Sequence, residues 1–187
     1  ICQLPVSVHP SAARNDSERV VAQEAERVTN PRRVLIFGDS VVLGAKNALH
    51  EGHEDHVEID SEIGRTSSTA LPRLRKLKRQ GKLRPVMIVH IGNNGWLYEE
   101  HVHEMMALFD EAGVERVVFV TARVPKRWQD RNNAILARLL EQHPRAELVD
   151  FCKASEGHKE WFGVDGLHLT PTGAKAFAAL LAPYYLE

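Results

Sequence analysis

The segment Val34-Leu35-Ile36-Phe37-Gly38-Asp39-Ser40 predicts a strand that leads through a tight turn into a helix. Its four consecutive apolar residues lack the polar alternation of a half-exposed strand, so they are typical of a strand buried on both faces of a sheet. Apolar runs of the same kind recur at 85–91, 117–120 and 148–149, with a weaker one at 56–59. Together these runs predict five strands.

Segments with helical spacing separate the predicted strands. They cover 40–49, the helix face of Leu71, Leu74 and Leu77, and then 99–112, 130–143 and 171–187. Alternating buried strands and helices predict a parallel sheet with helices on both faces, because crossovers between parallel strands are right-handed. The predicted fold class is therefore α/β: a three-layer α/β/α sandwich around a five-stranded parallel sheet, of flavodoxin-like type. Residues 1–30 are predicted to form an N-terminal arm and helix, and residues 31–187 the main domain.

Composition and charge exclude some partners. The chain has 187 residues, of which 43% are hydrophobic and 26% charged, as in an ordinary globular domain. A formal net charge of −1 gives no reason to expect nucleic acid or an anionic membrane surface as a partner. No apolar run approaches the ~20 residues of a membrane-spanning helix. Because the sequence starts at Ile1 without Met or a leader, we expect it to be a mature or excised part of a longer protein.

Cys2 and Cys152 are the only cysteines. An even pair is compatible with one disulfide that ties the N-terminal arm to the domain, which would require an oxidising compartment. Two unpaired thiols are the alternative, and the sequence leaves both open.

Four short blocks carry candidate chemistry, and each also has a purely structural interpretation. Ser40 supplies a nucleophile or only caps a helix. Gly64 lets the backbone approach a substrate oxygen or only makes a turn, and Asn94 donates an amide to an oxyanion or only turns the chain. Asp165 and His168, three residues apart, form a carboxylate–imidazole pair or belong to an ordinary loop. Their conjunction favours an acyl-transfer site at the carboxyl ends of the strands.

In this order the blocks resemble those of the SGNH (GDSL) hydrolase superfamily, and the resemblance extends from about residue 34 to the C-terminus. It implies that Ser40 is the nucleophile, His168 the base and Asp165 the residue that orients the base. It also implies an oxyanion hole formed by the backbone N–H groups of Ser40 and Gly64 and the side-chain amide of Asn94. Neither a metal nor an organic cofactor is implied.

A narrower resemblance is to the extracytoplasmic SGNH domain of cell-wall (peptidoglycan) O-acetyltransferases. It is visible at 86–95 (VMIVHIGNNG), 121–128 (TARVPKRW), 157–162 (GHKEWF) and 165–173 (DGLHLTPTG). Gly95 follows Asn94 where many hydrolases of the superfamily have Asp, which favours the transferase branch. Asn93 stands where threonine is more usual.

This second resemblance implies acetyl transfer to a carbohydrate hydroxyl through an acyl-enzyme on Ser40. The implied partners are an acyl donor, a glycan acceptor and a membrane acyltransferase domain that this chain lacks. The implied location is extracytoplasmic, on the cell-wall side or in the periplasm, as part of a membrane-anchored protein, with the cytoplasm left open.

Further residues are candidates for substrate binding. Arg65 binds an acceptor or is a solvated charge, and Trp128 and Trp161 stack on a sugar or pack at the rim of the core. Three cations after the fourth predicted strand face an anionic or polar acceptor or are solvated: Arg123, Lys126 and Arg127.

The histidines at positions 50, 53 and 56 lie among acidic residues. They could bind zinc, but their spacing lacks the His-Glu-x-x-His geometry, so a solvated loop is the favoured interpretation.

The sequence leaves three alternatives to a transferase. A carbohydrate or lipid esterase would use the same triad with water as the acceptor. A non-catalytic glycan-binding module would have the same fold without the chemistry. A metal-dependent hydrolase would use the histidine loop.

Overall fold

The computed structural model describes residues 33–185, in which strands and helices alternate along most of the chain. The predicted N-terminal arm and helix, residues 1–30, lie entirely outside the described residues. The strands are β1 (Val34–Gly38), β2 (Val57–Ser61), β3 (Val86–His90), β4 (Arg116–Val120) and β5 (Ala146–Val149). The α-helices are α1 (Ser40–His50), α2 (Ser67–Arg79), α3 (Glu99–Glu111), α4 (Gln129–Leu140), α5 (Phe151–Ala154) and α6 (Pro171–Leu181). Two short 3₁₀ segments cover Lys159–Trp161 and Ala182–Tyr184.

All five strands are parallel and lie in the order β2-β1-β3-β4-β5. β1 lies between β2 and β3, with Ile36 opposite Ile59 of β2 on one side and Ile88 of β3 on the other. The chain first runs outward to β2 and then returns past β1 to β3, so the direction of winding reverses between β1 and β3. In such sheets ligands bind beyond the carboxyl ends of the strands at this reversal.

Alternate side chains of each strand enter two separate apolar clusters. On one face of the sheet Phe37, Met87 and Phe119 pack with residues of α2, α3 and α4. On the other face Ile36 and Ile88 pack with residues of α1, α5 and α6. Burial on both faces explains why the strand sequences show no polar alternation. The predicted three-layer sandwich with a five-stranded parallel sheet is thus confirmed.

The ends of several elements differ from the prediction. The last helix ends at Leu181 rather than at the end of the chain, because Pro183 has no N–H to donate and its ring would clash with the carbonyl four residues earlier. The fourth predicted helix ends at Leu140 instead of at residue 143, and β2 extends to Ser61. Within residues 33–185, no helix combines the length and the apolar character needed to traverse a bilayer.

Candidate active site

Ser40 is the first residue of α1, directly beyond the carboxyl end of β1. The turn between them requires glycine at position 38, because a Cβ there would lie 2.2 Å from Val42 Cγ2. Asp39 caps the helix, and its Oδ1 accepts a hydrogen bond from the N–H of Val41 at 3.0 Å. This cap leaves the N–H of Ser40 without a partner among the described residues. A free donor at the first turn of a helix is well placed for developing negative charge.

The side chains of Ser40, His168 and Asp165 form a continuous hydrogen-bonded chain. Ser40 Oγ lies 3.0 Å from His168 Nε2, and the other ring nitrogen, Nδ1, lies 2.6 Å from Asp165 Oδ2. Because a carboxylate only accepts hydrogen bonds, Nδ1 carries the proton and Nε2 accepts from the serine hydroxyl. The arrangement is that of a nucleophile beside an oriented general base.

Asp165 is held by the backbone that follows it. Its Oδ1 accepts hydrogen bonds from the N–H groups of Leu167 and His168, both at 3.0 Å. The hydrogen bond from the His168 ring, and then these two backbone bonds, lower the pKa of Asp165 from 3.8 to about 2. The carboxylate is therefore charged at neutral pH. The side chains of Asp165 and His168 are 48% and 54% exposed, so the site is open to solvent.

The loop with Asp165 and His168 is held close to the start of α6. The N–H of Thr170 donates to the carbonyl of Trp161 at 2.9 Å. A Cβ at Gly173 would lie only 2.0 Å from the same carbonyl oxygen, so a glycine is needed for this close approach. The contact fixes both ends of the segment that presents the histidine.

Gly64 and Asn94 belong to the loops that follow β2 and β3. Gly64 has φ +75°, a left-handed conformation that favours glycine, and its N–H has no partner among residues 33–185. Asn94 Nδ2 donates to Asp39 Oδ2 at 3.1 Å and to the carbonyl of Arg65 at 3.3 Å. The structure thus brings the Asn94 loop, the Gly64 loop and the residue before Ser40 into contact. To serve an oxyanion, the amide would exchange its longer bond for one to a charged acceptor, which is the stronger interaction.

A buried polar network that was not predicted from the sequence lies beneath Asn94. Asn93 Nδ2 donates both to Asp39 Oδ2 and to His90 Nε2, each at 3.0 Å. The opposite ring nitrogen of His90 donates to the carbonyl of Val120 at 3.3 Å. Burial lowers the pKa of His90, so the imidazole is neutral and can donate at one nitrogen and accept at the other. The available signal was His90 itself, a polar residue that ends an apolar strand.

Asn132, fully buried in α4, holds the loop that carries Asn94. Its Nδ2 donates to the carbonyls of Gly92 and Gly95 at 3.0 and 2.8 Å, and its Oδ1 accepts from the N–H of Leu97 at 2.8 Å. No motif marks this asparagine, because its role depends on a contact between elements far apart in the chain.

Arg65 has neither of the two roles predicted for it, which were acceptor binding and a solvated surface charge. Its side chain is 2% exposed, and Nη1 donates to the carbonyls of Gly38 and Asp60 at 3.0 and 2.8 Å. Nη2 donates to Asp60 Oδ1 at 2.8 Å, and the guanidinium lies 4.1 Å from the centroid of the Phe37 ring. The arginine ties the loop after β2 to the end of β1. We therefore correct both predictions, since its guanidinium is not solvated and does not face an acceptor.

The candidate tryptophans Trp128 and Trp161 are both partly exposed. Trp128 Nε1 donates to the carbonyl of Asn93 at 3.2 Å, which places the indole beside the loop after β3. Trp161 stacks on His158, with ring centroids 4.1 Å apart, in the segment before α6. A role for either in sugar binding stays a prediction.

The histidines after α1 are partly buried rather than fully solvated. The ring of His53 contacts the rings of His56 and Tyr185, with centroid distances of 5.3 and 5.4 Å. Within residues 33–185, no group of three or more His, Cys, Asp or Glu side chains could hold a metal ion.

Cys152 lies in α5 and is partly buried, which raises the pKa of its thiol. Cys2 lies outside the described residues, so the disulfide between them stays a prediction.

Curated proteins from several bacteria are similar to this chain in sequence, whereas no protein-family model matches it. YrhL of Bacillus subtilis is 32% identical over 150 residues, which covers 80% of this chain and 23% of that protein. O-acetyltransferase OatA of Staphylococcus aureus is 31% identical over 148 residues, covering 79% of this chain and 24% of that protein. Peptidoglycan O-acetyltransferase OatA of Listeria monocytogenes is 30% identical over 149 residues, with coverages of 80% and 23%. The chain spans about a quarter of the length of these relatives.

Solved structures share the fold at lower sequence identity. The C-terminal catalytic domain of peptidoglycan O-acetyltransferase A from Streptococcus pneumoniae, solved with a methylsulfonyl adduct, matches with a TM-score of 0.66 at 19% identity. That match covers 82% of this chain and 92% of the other. A GDSL-like lipase from Bacteroides thetaiotaomicron matches with a TM-score of 0.65 at 16% identity, covering 89% and 95%. A family 3 carbohydrate esterase from Clostridium thermocellum matches with a TM-score of 0.64 at 15% identity, covering 83% and 95%.

Sequence similarity and fold therefore agree with the resemblance inferred from the four blocks. The chain has the fold of solved GDSL-like hydrolases, and it is similar in sequence to peptidoglycan O-acetyltransferases.

Proposed function

We propose that this chain transfers an acetyl group to a carbohydrate hydroxyl through an acyl-enzyme on Ser40. The observation that carries the proposal is the pair of contacts at His168: one ring nitrogen lies 3.0 Å from Ser40 Oγ and the other 2.6 Å from Asp165 Oδ2. A serine so placed can be deprotonated as it attacks, and the resulting imidazolium is stabilised by the carboxylate.

In the first half of the reaction Ser40 Oγ attacks the acetyl carbonyl of the donor, and His168 Nε2 takes the hydroxyl proton. The developing oxyanion accepts hydrogen bonds from the N–H groups of Ser40 and Gly64 and from the amide of Asn94. When the tetrahedral adduct collapses, the bond to the donor breaks and the leaving group departs with the proton from His168. The acetyl group is then an ester of Ser40.

In the second half an acceptor hydroxyl attacks the acetyl-enzyme. Its proton passes to His168 Nε2, and the second tetrahedral adduct uses the same donors. Collapse breaks the bond to Ser40 Oγ, which takes back the proton from His168. The acceptor leaves as an acetyl ester, so no proton or electron is gained or lost overall.

Mass spectrometry of the acceptor tests the proposal. We expect acetylated glycan after incubation of the chain with an activated acetyl ester and a soluble peptidoglycan glycan fragment. The Ser40→Ala variant is the matched control, and it should give no acetylated glycan. Product at equal yield from that variant would contradict a role for Ser40.

An esterase is the second candidate, because the half-exposed side chains of Asp165 and His168 leave the site accessible to water. The same triad would then release acetate. If the incubation yields free acetate and no acetylated glycan, the chain is an esterase and the transferase proposal fails.

We also propose that the chain works on the extracytoplasmic side of a cell, as one domain of a membrane-anchored protein whose acyltransferase domain supplies the acetyl group. Support comes from the length of the relatives, of which the chain spans about a quarter. External protease added to intact cells that produce the complete protein should cleave this domain. Full protection, with cleavage only after lysis, would place it in the cytoplasm.

A further inference from the structure

The arginines of residues 33–185 differ in whether they are paired. Most of them form ion pairs with carboxylates: Arg33, Arg65, Arg73, Arg75, Arg84, Arg116, Arg138 and Arg145. Within the same residues Arg79, Arg123, Arg127 and Arg131 have no carboxylate at ion-pair distance. Arg79 is the last residue of α2, whereas the other three lie between β4 and the first turn of α4.

Two of these unpaired arginines lie against a tryptophan. The guanidinium carbons of Arg127 and Arg131 are 5.7 and 5.3 Å from the centroid of the Trp96 ring. The Trp128 ring lies 6.1 Å from that of Trp96 at an angle of 58°. Both arginines are exposed and both tryptophans are partly exposed. We call these four residues the arginine–tryptophan surface.

The arginine–tryptophan surface adjoins the candidate oxyanion hole. Trp96 is two residues after Asn94, and Trp128 donates its indole N–H to the carbonyl of Asn93. Arg131 Nη1 donates to the carbonyl of Leu97 at 3.1 Å, so one edge of its guanidinium is fixed to the same loop. The surface therefore borders the loop that carries Asn94.

Neither arginine of this surface has a carboxylate within ion-pair distance among residues 33–185. The nearby carboxylate of Glu99 is paired with Arg138, whose hydrogen bond is the main cause of the lowered pKa of Glu99, and Arg131 adds a weaker contribution to that shift. Arg127 and Arg131 carry like charges that repel each other, and a guanidinium has five N–H donors, so Arg131 keeps four for a ligand beside the one that Leu97 accepts. A ligand carboxylate would reduce the repulsion between the two arginines and accept hydrogen bonds from their guanidinium groups. The face of a tryptophan ring packs well against the apolar face of a sugar ring.

We propose that the arginine–tryptophan surface binds the glycan acceptor. One sugar ring of the glycan stacks on Trp96 or Trp128, and a carboxylate of the same glycan chain pairs with Arg127 and Arg131. This inference rests on the proposed function and narrows it to carboxylate-bearing glycans. The surface sets acceptor specificity, while the bond-making groups are those of the candidate triad.

A binding measurement tests this inference without turnover. The Ser40→Ala variant is titrated with a soluble oligosaccharide of alternating N-acetylglucosamine and N-acetylmuramic acid that has free lactyl carboxylates, and with the same oligosaccharide converted to its amides. Tryptophan fluorescence reports binding. We expect the carboxylate form to bind at least about tenfold more tightly than the amide form, a difference in the range of one charge-assisted hydrogen bond.

Further substitutions in the Ser40→Ala variant test whether the arginine–tryptophan surface causes the difference in affinity between the carboxylate and amide forms. Arg127→Gln combined with Arg131→Gln should remove the preference for the carboxylate form. Arg79→Gln, an unpaired arginine at the last residue of α2, should retain it. Trp96→Leu should weaken the binding of both oligosaccharide forms. Trp96→Tyr keeps an aromatic ring and should bind both forms more tightly than Trp96→Leu does.

Two results would overturn the inference: an unchanged carboxylate preference in the double arginine variant, or equal binding of the two oligosaccharides by the parent. Because both arginines are exposed, their substitution is compatible with folding even if a tryptophan variant is not. Failure of the proposed function has a different signature, namely that the chain with Ser40 intact binds the glycan but never acetylates it.

Discussion

Asp165 uses its two carboxylate oxygens for different tasks, and this makes Asp165→Asn an informative change. Asparagine retains one oxygen for the N–H groups of Leu167 and His168. Its NH₂ group cannot accept the proton of His168 Nδ1, so the ring loses its orientation and the imidazolium its counter-charge. We expect kcat for hydrolysis of a small activated acetyl ester to fall by roughly 10³–10⁴.

Thermal melting at neutral pH is the control for this variant, which should unfold in a single cooperative transition at a lower Tm than the parent but well above the assay temperature. A variant that keeps kcat within about tenfold of the parent would contradict the orienting role.

The lowered pKa of Asp165 also predicts a pH dependence of stability. The folded chain holds this proton less tightly than the unfolded chain, because the pKa is about 2 rather than 3.8. The stabilisation is therefore fully present above the unfolded pKa and is lost as the pH falls through the folded value. We expect the Tm of the parent to exceed that of Asp165→Asn above about pH 4, and the margin to close towards about pH 2. If the difference in Tm between the parent and Asp165→Asn is as large near pH 2 as at neutral pH, the charge of the Asp165 carboxylate does not cause that difference.

The sequence alone predicted the candidate catalytic residues better than it predicted the burial of Arg65. Ser40, Asn94 and His168 could be selected as candidates because each lies in a short motif at the end of a strand or before a helix, and parallel topology predicts that those ends lie together. Burial of Arg65 could not be read from its motif, because it depends on Asp60 and Phe37 in neighbouring strands.

At the scale of elements, α4 supports the loop after β3 through Asn132. Asn132→Ala removes hydrogen bonds to Gly92, Gly95 and Leu97 and leaves buried polar groups unpaired. We expect a loss of unfolding free energy on the order of 3 kcal/mol, measured by urea denaturation. Because the loop carries Asn94, kcat on a small acetyl ester should fall by about 10–10² as well.

The next residue of the same helix is a matched control. Asn133 makes hydrogen bonds to the N–H and carbonyl of Ala122, in the loop after β4 rather than the loop after β3. Asn133→Ala should cost comparable stability with a smaller loss of kcat. Equal losses of kcat in the two variants would mean that destabilisation alone explains the effect.

Elements were predicted well where burial alone determines them. The strands read as uninterrupted apolar runs because they are covered on both faces, and every predicted strand is present. Helix ends were less predictable: the stop at Leu181 depends on one proline. The short helix Phe151–Ala154 has too few residues for a periodic pattern, and it was missed.

At the scale of the whole molecule, both apolar clusters and every candidate site residue lie within residues 33–185. We propose that residues 31–187 fold and act as a unit without residues 1–30. A chain that begins at residue 31 should unfold cooperatively at nearly the Tm of the full chain, and should hydrolyse a small acetyl ester at the same rate. Both proteins are compared with a reductant present, so that any bond between Cys2 and Cys152 is open. Loss of cooperative unfolding would show that the removed segment belongs to the domain.

The central claim is that an acetyl group resides on Ser40 during turnover. Rapid quenching of the full chain with an activated acetyl ester, followed by mass spectrometry of its peptides, tests this most directly. We predict a single acetyl group on the peptide that contains Ser40, its loss on addition of a glycan acceptor, and no adduct in Ser40→Ala. Acetylation of a different residue during turnover, or full turnover by Ser40→Ala, would contradict the account.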